Sequence, residues 1–278
     1  MMRRIYFAAA VLVPTEPVYN DADAAAFLSA AGIGNAAQQQ AVHRLAVELK
    51  EAGLWAKLHA VYPFVGGTAQ AHKLNLKNPA DTDAAFRLTF VGAPVHSAGG
   101  VQWDGATQYA DTHYVPSVQL SGSSGAALGY YSTTNSVAGD VYEMGAYVSA
   151  SNAFFVCVNN GAFSPARPFY AAFGNQQGAN SSDSRGNYVV RRAAGSPAGA
   201  RLFRNGGEQN PAAATQTDST GPPACSVTLG VLNVNGGLYG YSNRACAFAH
   251  LGPELSDAEI AALHACTQTF QTTLNRAV

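Results

Sequence analysis

Between Glu51 and Glu254 the chain holds only two glutamates, Glu143 and Glu208, of seven in all. Retaining glycoside hydrolysis uses two carboxylates about 5 Å apart, one as nucleophile and one as acid. From residue 84 to Glu254 the closest acidic pair is Asp140 and Glu143. Three residues apart on a strand, they point to opposite faces. Ser121-Gly122-Ser123-Ser124-Gly125 lacks the Gly-x-Ser-x-Gly spacing of a nucleophile elbow. No His-Glu-x-x-His occurs, and His43 and His59 have no partner at metal-ligand spacing. Gly32-x-Gly34-x-x-Ala37 has the outline of a dinucleotide fingerprint. It follows a helical segment rather than a strand, so it reads as a helix break. No catalytic residue is assigned, and the expectation is that the chain is not an enzyme.

Binding chemistry has more to work with. Trp103, Tyr109, Tyr114, Tyr130 and Tyr131 are candidate carbohydrate-binding residues, because an aromatic ring can stack on a pyranose while nearby amides bond its hydroxyls. Strand alternation sends about half of such residues into the core. Asp104 and Asp111 flank an expected turn and strand, and Asn135 and Asp140 lie on an expected loop. Oxygen donors of this kind suit Ca²⁺. Asp104-Gly105 is also a turn signal, so capping of a turn is the competing reading. No other cofactor is implied.

The balance of 16 Lys plus Arg against 17 Asp plus Glu, a net charge of −1, argues against a nucleic-acid binder, which needs a basic face. It argues equally against a polybasic membrane-surface protein. No apolar run of about 18 residues exists to span a bilayer as a helix. Charged residues are only 12%, so Ser, Thr, Asn and Gln must keep the surface wet. Cys157, Cys225, Cys246 and Cys266 are far apart, without a C-x-x-C pair. Cys157, in the apolar run Ala153–Val158, reads as a buried thiol, and a Cys225–Cys246 disulfide is the alternative to free thiols there.

The elements that must position these residues change along the chain. Met1–Arg4 and the apolar Ile5–Val13 imitate a signal peptide, but Pro14 follows and no Ala-x-Ala site does, so a buried strand or arm is expected. Asp21 can cap a helix ended by Gly32 and Gly34. A second helix over about 35–52 carries Val42, Leu45, Ala46 and Leu49 on one face. From residue 84 short apolar runs alternate with Gly, Ser, Asn and Pro, the pattern of an antiparallel sandwich or jelly roll. Ser256 and Glu259 form a capping box before a closing helix, whose end suits Arg276 through the helix dipole. Asn205 to Pro223 reads as a long surface loop. The expected division is an N-terminal arm and helical attachment region over 1–60 and a β-sandwich domain over 61–278.

Three segments resemble a laminin-G-like or concanavalin A-like lectin sandwich: Val101-Gln102-Trp103-Asp104-Gly105 through Tyr109, Arg201-Leu202-Phe203-Arg204-Asn205-Gly206, and Phe248-Ala249-His250-Leu251-Gly252 with Leu255-Ser256-Asp257-Ala258-Glu259-Ile260. The resemblance implies a mainly β, antiparallel jelly-roll sandwich. Glycanases of that superfamily carry Glu-x-Asp-x-Glu on one strand, which this chain lacks. Most of residues 20–278 also resembles bacteriophage virion proteins, through Leu49-Lys50-Glu51-Ala52-Gly53-Leu54-Trp55, Tyr62-Pro63-Phe64-Val65-Gly66-Gly67, His72-Lys73-Leu74-Asn75-Leu76-Lys77-Asn78-Pro79 and Phe270-Gln271-Thr272-Thr273-Leu274-Asn275-Arg276. That resemblance implies a tail, fibre or capsid-surface protein, assembled in the host cytoplasm and located in the virion. Its partners would be other virion proteins, further copies of itself as a homo-oligomer, and host glycans, with no nucleic acid and no membrane. A decoration or adaptor protein without ligand and a polysaccharide depolymerase are the alternatives.

Overall fold

The computed structural model describes residues 18–120, 125–136, 139–149, 152–158, 170–171, 176–177, 183–193, 200–209 and 221–278. The expected Met1–Val13 arm, residues 121–124 of the Ser-Gly segment and residues 210–220 of the long loop lie outside them.

Two helices open the described chain, α1 (Ala22–Ala31) and α2 (Ala36–Glu51). Asp21 Oδ1 accepts the backbone N–H groups of Asp23 and Ala24, and Gly32 closes α1 at φ 66°. A short strand β1 (Ala60–Tyr62) and helical turn α3 (Ala69–His72) lead into the β region. There follow β2 (Thr89–Val91), β3 (Val95–Ser97), β4 (Gly100–Gln102), β5 (Tyr109–Asp111), the turn α4 (Pro116–Gln119), β6 (Ala126–Ser132), β7 (Met144–Ser149) and β8 (Asn152–Val156). Next come β9 (Tyr170–Ala171), β10 (Gln176–Gln177), β11 (Gly186–Arg192), β12 (Ala200–Arg204) and β13 (Gly207–Gln209). The chain ends with β14 (Thr228–Leu229), β15 (Leu232–Val234), β16 (Gly237–Tyr239), β17 (Cys246–Gly252) and α5 (Asp257–Thr273).

The strands form two large sheets. One has the order β13-β12-β11-β6-β17-β4-β3, with β1 also paired to β17. The other runs β16-β15-β7-β14-β5-β2, with β8 also paired to β7. The expectation of a wholly antiparallel sandwich needs correction here, because β15 pairs with β7 in parallel. The chain is mainly β, with two large sheets, one of them mixed, a two-stranded pair of β9 and β10, and a helical layer.

Alternation along the strands explains the layers. On β6, Leu128 and Tyr130 enter the core between the sheets, while Ala127 and Tyr131 enter a second core under the helices. On β11, Val190 and Val189 divide the same way, as do Leu202 and Phe203 on β12. The second core is completed by Phe27, Leu45 and Leu49 from α1 and α2, and by Ile260, Leu263 and Phe270 from α5. The helices therefore share a core with the first sheet, and residue 60 lies inside β1 rather than at a gap in packing.

Several local expectations meet their physical cause. Ser256 and Glu259 make the reciprocal capping box. Asn205 and Gly206 both take positive φ, 51° and 78°, as a two-residue hairpin between β12 and β13 requires. Cys225 and Cys246 form no disulfide, so that alternative falls. Arg276 does not merely face the end of α5. Its guanidinium donates to the carbonyls of Pro63, Phe64, Ala98 and Ala247 and to Gln271 Oε1, lacing the C-terminus to both flanking loops. Desolvation there lowers its pKa to about 10.

Candidate functional site

The outward face of the second sheet is where functional side chains come together. Strand β5 points Ala110 into the core, which turns Tyr109 and Asp111 outward. Strands β15 and β16 form a hairpin around Asn235 and Gly236, at φ 50° and 93°, and this places Tyr239 at its end. Tyr239-Gly240-Tyr241 then docks on Asp140-Val141-Tyr142. The Tyr142 N–H donates to the Gly240 carbonyl at 2.9 Å, and Tyr142 and Tyr241 share an isolated parallel bridge. Gly240 sits at φ 66°, and a Cβ there would lie 2.6 Å from both the Asp140 carbonyl oxygen and the Tyr142 ring. Only glycine lets two tyrosines flank that contact.

The result is a row of rings. Tyr142 lies edge-on to Phe155 at 5.1 Å and beside Tyr239 at 6.0 Å, and Tyr109 meets Tyr241 at 6.4 Å. Tyr142 and Phe155 are buried, Tyr109 and Tyr241 half-buried, and Tyr239 is 51% exposed. The Tyr239 hydroxyl donates to Asp140 Oδ2 at 2.5 Å. That hydrogen bond, with the charge of Asp140, raises the Tyr239 pKa. Burial, then Tyr241 and Asp111, raises that of Tyr109. Ring faces set beside an acceptor carboxylate suit a ligand with C–H faces and hydroxyl donors.

Of the aromatic residues expected to bind sugar, only Tyr109 lies on this face. Trp103, Tyr114, Tyr130 and Tyr131 are corrected to core residues, each 2% exposed or less. Trp103 Nε1 donates to the Tyr130 hydroxyl, which donates to the Arg244 carbonyl. The Tyr114 hydroxyl meets His59 Nδ1, and that of Tyr131 donates to Gln268 Oε1. Tyrosines and tryptophan in a core need such polar partners, and here they have them. Tyr239 and Tyr241 were missed; the aromatic-Gly-aromatic repeat was their signal.

The expected calcium residues do not converge. Asp104 Oδ1 accepts the N–H groups of Ala106, Thr107 and Gln108, while Oδ2 accepts the Thr107 hydroxyl. These bonds hold its pKa far below the usual carboxylate value. Asp111 caps His113 N, Asn135 accepts from Ser184 N, and Asp140 serves Tyr239. Among the described residues no three His, Cys, Asp or Glu side chains gather as a metal site. Turn capping accounts for Asp104.

Glu143 cannot partner Asp140 in catalysis. It is fully buried and paired with Arg244 at 2.6 Å, and it also accepts from the Ser242 hydroxyl and Val158 N. The pair and its bonds brace β7 against the loop before β17.

No family model matches the chain, and no curated protein does. Among solved structures, a Trypanosoma rangeli sialidase mutant with trans-sialidase activity is similar at a TM-score of 0.53 and 12% identity, over 84% of this chain and 39% of the sialidase. The Trypanosoma rangeli sialidase in complex with 2,3-difluoro-KDN is similar at 0.53 and 12%, over 81% and 39%. Domain 4 of AbnA, a GH43 extracellular arabinanase from Geobacillus stearothermophilus, in complex with arabinotriose, is similar at 0.43 and 11%, over 74% and 98%. The chain spans 28% to 39% of the Trypanosoma rangeli sialidase chains it matches. The two sialidase likenesses at a TM-score of 0.53 are of fold. They correct the expectation that the chain is not an enzyme, since the same two-sheet fold occurs within sialidase chains and a missing Glu-x-Asp-x-Glu does not exclude that setting. Among the described residues no helix is long and apolar enough to cross a membrane.

Proposed function

We propose that the chain is a glycan-recognising component of a bacteriophage particle, in the tail, a fibre or the capsid surface. Its body is a jelly-roll sandwich of the concanavalin A-like kind, and its tyrosine face holds a host-surface polysaccharide. Other virion proteins and further copies of the chain are the partners this reading requires. The observation that carries it is Tyr239, an exposed ring in a row of aromatic side chains with its hydroxyl on Asp140. The fold supports the reading, because it occurs in sialidase chains, one of them in complex with the sugar acid 2,3-difluoro-KDN. The virion setting rests on the sequence resemblance over residues 20–278.

The test is binding of the purified protein to host cells before and after their surface polysaccharide is stripped, with and without EDTA. Binding is expected to disappear on stripping, to survive EDTA, and to fall at least tenfold in Tyr239→Ala/Tyr241→Ala, at about 1.4 kcal/mol per tenfold. Reducing ends measured in the same incubations distinguish cleavage from recognition. Undiminished binding by the double variant, or none to intact cells, overturns the reading in favour of a decoration or adaptor protein.

A further inference from the structure

A second concave site lies away from the tyrosine face, between the loop before β1, the turn after α3 and the end of α4. It is a cleft of about 320 Å³, at the small end of the range that ligand pockets occupy. Lys77, His59, Asn78 and Gln119 line it with Phe86, and among the described residues no Asp or Glu does.

The polar groups of this cleft are donors in search of an acceptor. Lys77 Nζ sits 3.9 Å from the centre of the Trp55 ring and donates to the Trp55 carbonyl. Among the described residues it has no carboxylate at ion-pair distance. Its neighbour Lys50, 4.8 Å from the centre of the same ring, has two, Asp21 and Asp23. The two lysines share one indole, and only one is neutralised. Partial burial lowers the Lys77 pKa to about 8, Asp23 opposing at a distance and Lys50 adding to the fall. A hydrogen bond of 3.1 Å between His59 Nδ1 and the Tyr114 hydroxyl fixes the His59 ring in the wall of the cleft. Asn78 Oδ1 accepts from Ala80 N, freeing its amide N–H groups, and the Gln119 side chain has no partner among the described residues.

The walls are set in advance by Asn75, which is 1% exposed. Its Oδ1 accepts from the backbone N–H groups of Val61 and Lys77, and its Nδ2 donates to the carbonyls of His59 and Ala85. One side chain thus ties three walls of the cleft together, the rigid support that a binding site needs.

We propose that this cleft binds a small organic oxyanion of about monosaccharide size, its carboxylate or phosphate on Lys77 and its hydroxyls on the surrounding amides. A charged hydrogen bond in a half-buried site is the strong kind, and an anion supplies the charge that the cleft lacks. The ring of Phe86 gives the uncharged part an apolar wall.

The test is a titration of the full chain at pH 7 with glucuronate, glucose 6-phosphate and glucose, read by amide chemical shifts of residues 58–59, 75–78 and 119. At least one oxyanion is expected to give saturable shifts there while glucose gives none. Glucuronate alone marks a carboxylate site, glucose 6-phosphate alone a phosphate site, and both together a general oxyanion site. Lys77→Met is expected to weaken binding roughly tenfold or more, with Lys77→Arg restoring it to within about threefold. No saturable shift with either oxyanion, equal shifts with glucose, or undiminished binding by Lys77→Met overturns the proposal. Should Lys77→Met fail to fold, Asn78→Ala and Gln119→Ala on the rim carry the test, each expected to weaken binding about threefold. Unchanged affinity in both overturns it too.

Discussion

The two sheets turn the same alternating pattern outward to opposite ends. On the first sheet, Ala127, Tyr131, Val189, Phe203 and Phe248 face out and are sealed by α1, α2 and α5. On the second, Tyr142, Phe155 and Leu232 form a small cluster that Tyr109, Tyr239 and Tyr241 extend towards water. Rings of one kind thus serve stability on one face and remain available for contact on the other. The difference lies in whether a helix covers them, so aromatic content by itself does not mark a binding face.

The comparison breaks most readily at its hinge, the buried pair beneath the tyrosine face. Arg244→Ala leaves Glu143 charged and unpaired at full burial and is expected to cost about 3–5 kcal/mol in denaturant unfolding. A cost below 1 kcal/mol would mean that the pair does not brace β7. On the helix-covered face, Phe248→Ala is expected to cost about 3–5 kcal/mol through the cavity it opens against Phe270. Tyr239→Ala on the outer face of the second sheet is expected to cost under about 0.5 kcal/mol while weakening the proposed glycan binding several-fold. Similar losses from these two changes would erase the contrast.

Acid sharpens the contrast next. His250 on the covered face is fully buried, and desolvation lowers its pKa to about 3; His72, buried beside His96 and Arg276, is likewise lowered to about 3. Unfolded histidine takes a proton near pH 6.5, and the folded chain refuses it until about 3, so stability falls as pH drops through that window. Between pH 6.5 and 5 each histidine is expected to cost about 2 kcal/mol. Unfolding measured against pH checks this, and His250→Leu is expected to remove about half of the slope. The smallest effect is spectroscopic. Asp140→Asn removes the acceptor charge beside Tyr239, and tyrosinate absorbance is expected to show one exposed phenol moving back towards its ordinary pKa.

Much of this was legible locally. Caps at Asp21 and Ser256, the Asn205-Gly206 turn and the runs that became β6, β11, β12 and β17 declare themselves, because a cap or a strand is fixed by neighbours within a few residues. The tyrosine face was half legible. Tyr109 stood among the candidates, but its companions lie 130 and 132 positions away, at Tyr239 and Tyr241. Trp103, Tyr130 and Tyr131 looked equally suited, since period-2 alternation tells which residues share a face and not which face is covered.

By itself, then, the sequence determined the elements, their caps, their turns and the near-zero charge, all of which follow from short-range sterics, hydrogen bonding and composition. Only the tertiary structure decided that α1, α2 and α5 cover one sheet and, among the described residues, no helix covers the other, that Glu143 meets Arg244, and that Asn75 gathers Lys77 and His59 around one cleft. Those outcomes depend on contacts between distant segments, whose pairing is set by how two sheets and three helices bury the most apolar surface together.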